Sequence, residues 1–283
     1  MARGTRPRVE PVPNAPAATV DLGAERALLV GDYHAGIEAG LRYERGVELP
    51  SDGPARRHRL LELLETERVD RLVVLGDLGH RIGSVKGAER EELDALYAAV
   101  VEESGVPITV APGNHDGGLR DLWGDRAGVD ILPQSGGLMG GVDGDGAIGV
   151  VDSAVGVVDS AVGVCHGHTW PAAELLSADV ICMAHEHPTV KLQDSVGGYR
   201  TEKAWLRGRL DRKVMAEGVD ADRESVAWSD PELVVLPAFN DRSGGTWVNV
   251  EAEGFLSLFL PDGLVEADCY LLDGTRLGDY RVV

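Results

Sequence analysis

ALLVGDYH at residues 27–34 and RLVVLGDLGH at residues 71–80 decide the fold. Each is an apolar run without polar alternation that ends in Gly-Asp followed, two or three residues later, by His. Such a run reads as a strand buried on both faces, which is typical of parallel sheets covered by helices. Between the two, residues 54–66 read as a helix, with Leu60, Leu61, Leu63 and Leu64 on one side and Pro54 near its start. Strand, helix, strand in sequence predicts a parallel sheet. The pattern goes on: 106–111 (VPITVA), 161–165 (AVGVC) and 179–184 (DVICMA) read as further buried strands and 88–103 as a second helix. The last fifty residues lose the helical period and give short strand-like runs at 233–236, 247–250, 255–260 and 268–272. They predict a second sheet stacked on the first. The class is α/β, and with no linker-like segment the chain reads as one domain over 1–283, its first twenty residues rich in proline.

Polar residues at the C-terminal ends of such strands are where open α/β sheets place ligands. Here GDYH (31–34), GDLGH (76–80), GNHD (113–116), CHGH (165–168) and AHEH (184–187) follow successive strands. Seven of the eight histidines fall in these clusters; only His58 lies elsewhere. A lone Asp or His at a strand end is ordinarily a cap or a satisfied polar group, but five strand ends carrying oxygen or imidazole donors point to metal binding. Nitrogen and oxygen donors without thiolate suit Mn2+, Fe, Zn2+ or Ni2+. A carboxylate shared by two cations gives the arrangement that stabilises an in-line displacement at phosphorus.

The bulk composition bounds the remaining classes. There are 47 acidic against 27 basic residues, a formal charge of −20, and only four of the basic residues are lysines (Lys86, Lys191, Lys203, Lys213). A carboxylate surface nearly free of Lys matches proteins of salt-accumulating halophiles, where the Debye length falls to ~3 Å at 1 M salt and self-repulsion is screened. In molar salt the negative charge loses its force against a nucleic-acid partner. Cys165, Cys182 and Cys269 are odd in number and widely spaced, so a disulfide framework is not expected; each reads as a small buried side chain. The N-terminus has four prolines and no apolar stretch of signal-peptide type, and no run approaches the ~18 residues of a membrane span. A cytoplasmic protein is expected. GVVDSAV occurs twice in tandem, at 149–155 and 156–162. An odd period turns the copies to opposite faces of an unbroken strand, so a turn or bulge near Gly156, or a tolerated insertion, is expected.

The string D-x-H, G-D, G-N-H-D, H and G-H-x-H, over residues 31–187, resembles that of the calcineurin-like metallophosphoesterase superfamily. The resemblance implies an αββα sandwich of two stacked mixed β-sheets flanked by helices. It implies one cation on Asp32, His34, Asp77 and His187 and a second on Asp77, Asn114, His166 and His185, with Asp77 as the bridge. His115 would protonate the leaving oxygen or stabilise the phosphorane, with Asp116 holding its ring. Two departures stand out: Ala184 replaces the usual Gly of G-H-x-H, and Glu186 fills the variable position. His166 and His168 compete for one ligand role, and His166 is preferred because it directly follows the apolar strand.

A narrower resemblance is to the archaeal ICC-like phosphoesterases, related to bacterial ligase-associated DNA-damage-response endonucleases. It is carried by GDYHAGIE and VELP within 31–50, GDLGH (76–80), GNHDG (113–117), HGHTWP (166–171), HEHP (185–188) and LPAFNDRSGG (236–245). It implies a phosphodiesterase that favours Mn2+ and acts on DNA. His80 and Glu38 read equally as structural groups, and Asn240 as a turn residue or a substrate contact. Residues 199–213 carry six basic against two acidic residues with Tyr199 and Trp205 interleaved. Arg207 and Arg209 are therefore candidates for binding phosphates and the aromatics for stacking on bases; the competing reading is a solvated hairpin whose arginines pair with the acidic surface. The functional readings are a nuclease or other phosphodiesterase, a phosphatase or phosphodiesterase for a small metabolite or nucleotide, and a non-catalytic module on the same scaffold.

Overall fold

The five apolar runs expected as buried strands all form strands, but they divide between two sheets. The structure, a computed structural model, describes residues 9–23, 25–140, 161–194, 196–221, 226–250 and 254–283. The first sheet is β1 (Val9–Pro11), β2 (Ala18–Asp21), β3 (Arg26–Val30), β4 (Arg71–Val74), β5 (Ile108–Val110) and β6 (Val129–Ile131), in that order. From β3 to β6 it is parallel; β1 and β2 join antiparallel, so residues 9–21 of the proline-rich segment supply the sheet's edge. Helices α1 (Ile37–Arg45), α2 (Gly53–Glu67), α3 (Ala88–Tyr97) and α4 (Leu119–Trp123) make the crossovers. The helix expected over 88–103 is α3 continued by a π-helical stretch, Ala98–Glu103.

The second sheet holds β7 (Gly137–Met139), β8 (Val162–Val164), β9 (Val180–Met183), β10 (Thr189–Gln193), β11 (Tyr199–Leu210), β12 (Glu232–Val235), β13 (Leu264–Leu271) and β14 (Arg276–Asp279). Its order is β14-β13-β11-β12-β9-β8-β7, with β10 paired to β11. β12–β9 and β9–β8 are parallel and the other pairs antiparallel. A short helix, α5 (Arg212–Gly218), follows β11. Two expectations are corrected here. AVGVC and DVICMA belong to this second sheet and not to the first. Residues 247–250 and 255–260 are not strands: Val248, Phe259 and Leu260 are buried in loop segments over the sheet's outer face, and Trp247 makes only an isolated bridge to Thr189. The tandem GVVDSAV lies outside the described residues except for Ala161 and Val162, where β8 begins.

Three apolar layers explain why the strands show no polar alternation. Leu28, Val30, Leu72 and Val74 face the helices, with Leu60, Leu64, Leu93 and Leu96. Ala27, Leu29, Val73 and Leu75 face the other sheet, against Val162, Val164, Cys182 and Val234. Ile181, Met183, Leu233 and Val235 point outward from the second sheet to Leu175, Met215 and Phe259. The sheets touch where Gly31 leaves β3: a Cβ there would overlap the Ala184 methyl, at the end of β9. The three cysteines are buried and free, as expected. Among the described residues, no helix is long and apolar enough to cross a membrane.

Candidate metal centre

At the ends of β3, β4 and β9 the chain turns through an uncommon conformation. Asp32 (φ 54°), His34 (φ 51°), Asp77 (φ 49°), His185 (φ 69°) and His187 (φ 44°) all lie in the left-handed region. For residues with a Cβ this is unfavourable and persists where the surroundings enforce it, commonly at functional sites. Enforcement is visible in the backbone. Asp32 N–H donates to Gly76 O (3.0 Å) and His34 N–H to Asp77 O (2.9 Å), so the β3 and β4 extensions stay paired beyond the strands. Phe239 and Asn240 N–H donate to Gly31 O and Asp32 O from the loop after β12.

These turns bring donor atoms together. Asp32, His34, Asp77 and His187 each place one ligand atom within 4.8 Å of the others, and so do Asp77, His166 and His185. Asp77 belongs to both groups. His34, His80 and His115 form a third such cluster beside them. His34 Nε2 is 3.7 Å from Asp77 Oδ2, His166 Nε2 is 3.5 Å from Asp77 Oδ1, and His187 Nε2 is 3.0 Å from Asp32 Oδ1. Asn114 lies on the turn after β5, its side chain exposed; the next residue's N–H donates to Asp77 Oδ1 at 3.0 Å. Gly113 allows that approach, because a Cβ there would run into the Asp77 carboxylate.

The ring tautomers follow from the partners of the other nitrogen. His166 Nδ1–H donates to Leu75 O at 2.7 Å and His187 Nδ1–H to Gly244 O at 2.7 Å. Their Nε2 atoms are thereby lone-pair donors aimed at Asp77 and Asp32, the orientation that carbonyl acceptors impose on metal-ligating histidines. Both oxygens of Asp32 and the Nε2 of His34 are buried with no hydrogen-bond partner. Buried carboxylate oxygens facing imidazole lone pairs are costly unless something positive stands between them. The donor set therefore fits divalent cations. Burial pushes His34 down to about 3 and His185 to about 4, which keeps both rings neutral and able to ligate. Burial opposes the charge on Asp77, but the rings of His166, His34 and His115 outweigh it and hold the carboxyl well below its usual range. Burial also opposes protonation of His166, yet Asp77 overcomes it and raises the ring to about 9, so a cation would take Nε2 by displacing a second ring proton.

Other expected residues fall into place unevenly. His115 is half-buried, with Nε2 3.9 Å from Asp77 Oδ2. Its Nδ1–H is held by the His80 carbonyl, and not by Asp116 as the family pattern implies. The Asp116 carboxylate instead accepts Gly79 N–H (3.0 Å) and Gly113 N–H (2.8 Å), clamping the two loops that carry Asp77 and Asn114; burial, then Asp77, raises it to about 6. His80 stacks on His115 with ring centroids 5.6 Å apart and places Nδ1 3.3 Å from His34 Nδ1. His166, and not His168, joins the cluster with Asp77 and His185. Glu38 is a structural group, paired with buried Arg56.

Arg207 and Arg209 are not brought to the cluster. Arg209 stands opposite Glu232, which stands opposite Val180 at the start of β9. That is five residues before His185, or roughly 16 Å at about 3.3 Å per residue. Both are paired with carboxylates, Arg207 with Glu232 (2.8 Å) and Arg209 with Asp230 (2.6 Å). Trp205 is buried between the sheets, out of reach of any base. Three further contributors hold the site's backbone: Asn240, read as a turn residue or a substrate contact, serves as the first, while the roles of Glu186 and Glu89 were not read from the sequence. Asn240 donates from Nδ2 to Asp32 O (2.7 Å) and caps Arg242 and Ser243 N–H through Oδ1. Glu186, wholly buried, accepts Thr246 Oγ1–H and the N–H groups of Leu256 and Ser257. Glu89 Oε1 accepts the N–H groups of His80 and Arg81. Their only signal is placement: Glu186 within H-x-H, Asn240 in the loop after β12.

Two solved structures of low identity are similar to this chain. The Pseudomonas putida nuclease MPE is 17% identical, with a TM-score of 0.50 over 94% of this chain and 98% of that one. The phosphoesterase Yfce of E. coli is 14% identical, with a TM-score of 0.39 over 89% and 97%. Among curated proteins, none matches this sequence. Residues 25–216, which run from the strand before Asp32 past both histidines after β9, match the calcineurin-like phosphoesterase family, and the chain, a metal-dependent hydrolase, belongs to it.

Proposed function

We propose that the protein is a dinuclear metal-dependent phosphodiesterase that cleaves nucleic acid. One cation would sit on Asp32, His34, Asp77 and His187, the other on Asp77, Asn114, His166 and His185. The observation that carries this reading is Asp77, a single buried carboxylate shared by two separate donor groups. Two divalent cations, Mn2+ foremost with Fe, Zn2+ or Ni2+ as alternatives, would supply charge neutralisation at the phosphoryl oxygens. The chain's own residues do the rest. His166 and His187 are fixed in ligand orientation by Leu75 O and Gly244 O. Asp116 holds the 79 and 113 loops in register. His115, whose Nδ1–H is engaged by the His80 carbonyl, would act as the imidazolium: its Nε2–H proton passes to the departing oxygen and the ring is left neutral.

Hydrolysis of bis-p-nitrophenyl phosphate, p-nitrophenyl phosphate and single-stranded DNA with Mn2+ in concentrated KCl tests the reading. Turnover of both diesters is expected. Cleavage of the monoester alone would overturn the phosphodiesterase assignment in favour of a small-metabolite phosphatase, and inactivity with every metal tried would overturn the dinuclear site.

A further inference from the structure

Beyond His80 the rim of the centre carries large apolar side chains that the fold does not use. Gly40 of α1 packs directly on the His80 ring, where a Cβ would not fit. Tyr43, three residues on, lies on the same helix face one turn farther out, about 5 Å along the axis. Its ring is 85% exposed, and Ile82, two residues after His80, is 80% exposed. The Arg81 guanidinium stands over the Tyr43 ring, 6.0 Å from its centroid. Residues 80–88 hold Arg81 and Lys86 and no carboxylate ahead of Glu89, in a chain of net charge −20. Arg42, Arg45, Arg81 and Lys86 make no ion pair among the described residues. Single exposed apolar residues are ordinary; an exposed aromatic one helical turn beyond the glycine that packs on His80, with the Arg81 guanidinium over its ring, is a recognition surface.

We propose that Tyr43, flanked by Arg81 and Ile82, is a stacking platform for an unpaired base of a single-stranded nucleic acid whose scissile phosphate lies at the metal centre. The inference rests on the phosphodiesterase reading and deepens it. The ring stands outside the donor cluster by the width of His80 and a further helical turn, so the stacked base belongs to a nucleotide flanking the cleaved bond. A mononucleotide, with its one phosphate at the metals, would not span to it. Basic residues track a phosphate backbone while the aromatic accepts any base. Stacking also survives in concentrated salt, where phosphate contacts weaken.

The experiment compares the full-length parent with Tyr43→Ala, Tyr43→Phe and Ile82→Ser. Binding of a fluorescein-labelled oligothymidylate is read by anisotropy, and hydrolysis of an oligothymidylate and of bis-p-nitrophenyl phosphate is read with Mn2+. Because both side chains are exposed, thermal midpoints close to the parent's are expected for all three variants. Tyr43→Ala should weaken oligonucleotide binding about tenfold, the order of one stacked base, and Tyr43→Phe should restore it. The loss in kcat/KM should be at least about tenfold larger for the oligonucleotide than for the small diester. Equal affinity in Tyr43→Ala and parent, or an equal loss in Tyr43→Phe, would overturn the platform. A parent that turns over the small diester but binds no oligonucleotide would overturn the platform and leave the phosphoesterase standing. Oligonucleotide binding that depends on Tyr43 without hydrolysis of either diester would do the reverse.

Discussion

His115 can enter the reaction through one nitrogen only, because the other is committed to the His80 carbonyl. If it gives its proton to the leaving oxygen, His115→Ala keeps the parent's metal content by mass spectrometry and loses about 10²–10⁴ in rate on a diester with a poor leaving group. The loss shrinks on bis-p-nitrophenyl phosphate, whose leaving group departs unprotonated; an equal loss on both would make the ring a purely electrostatic or structural element. Asp77→Asn is expected to lower bound metal below two ions per chain and to abolish activity, since both donor groups lose their shared anion; two ions retained would end the bridging assignment. At this scale most of the centre was legible, because its donors are side chains with distinctive chemistry, gathered at strand ends. The partner of His115 was not. A backbone carbonyl carries no residue identity, so nothing at position 80 announces that its oxygen, and not the Asp116 carboxylate, holds the ring.

The loop after β12 acts as a single element. Lys203 Nζ donates to Ala238 O, Asn240 O and Asp241 Oδ1. Arg59 ties Asp241 and stacks over Phe239. Asn240 closes the loop from within and reaches Asp32, while Gly244 holds His187. Asn240→Ala removes the partner of two loop N–H groups and leaves the Asp32 carbonyl with the backbone N–H of residue 240 alone, at a cost of about 1–3 kcal/mol. A lower thermal midpoint and faster loss of metal to a chelator are expected, with Ser or Asp at 240 retaining part of the effect through their side-chain oxygens. Unchanged chelation kinetics would confine Asn240 to turn formation. β-Structure was the hardest part to read ahead of the fold. β11 looks like a basic hairpin because its outward residues are charged, yet Ala204, Trp205 and Leu206 are wholly buried in mid-strand. Runs 247–250 and 255–260 look like strands because they are apolar, yet they bury Val248, Phe259 and Leu260 without a ladder and leave Leu256 and Leu258 exposed. Local pattern reports burial; which strand lies beside which is settled by contacts far apart in sequence, as when β9 pairs with β12 and not with β5.

At the scale of the whole molecule, net charge and packing act in opposite senses. A formal −20 stores self-repulsion, which added salt relieves until surface ion pairs such as Arg209–Asp230 and Arg276–Asp268 begin to be screened in turn. Those exposed pairs contribute little each, so the repulsive term dominates. The thermal midpoint is expected to rise steadily from dilute buffer to molar KCl, with the same trend in NaCl; a flat or falling midpoint would remove the high-salt reading of the composition. A parallel sheet was legible from alternating strands and helices, a second sheet from the short runs near the end, and the αββα sandwich from the family resemblance. The assignment of strands to the two sheets was not, because a strand buried on both faces reads alike in either one.

Where the sheets meet, Gly31 and Ala184 have room for one methyl group between them. Gly31→Ala alone should wedge the ends of β3 and β9 apart at a cost of about 1–3 kcal/mol, and should separate Asp32 from His185 and His187 by the same movement. Adding Ala184→Gly should give most of it back, a coupling that thermal unfolding of the four variants would measure; simple additivity would show that the contact relaxes elsewhere. Ala184 carries the one methyl that the seam accommodates, and the missing side chain at Gly31 leaves the room for it. The seam has space for that methyl on one side or the other and not on both, so the side chain at one position limits what the other can hold.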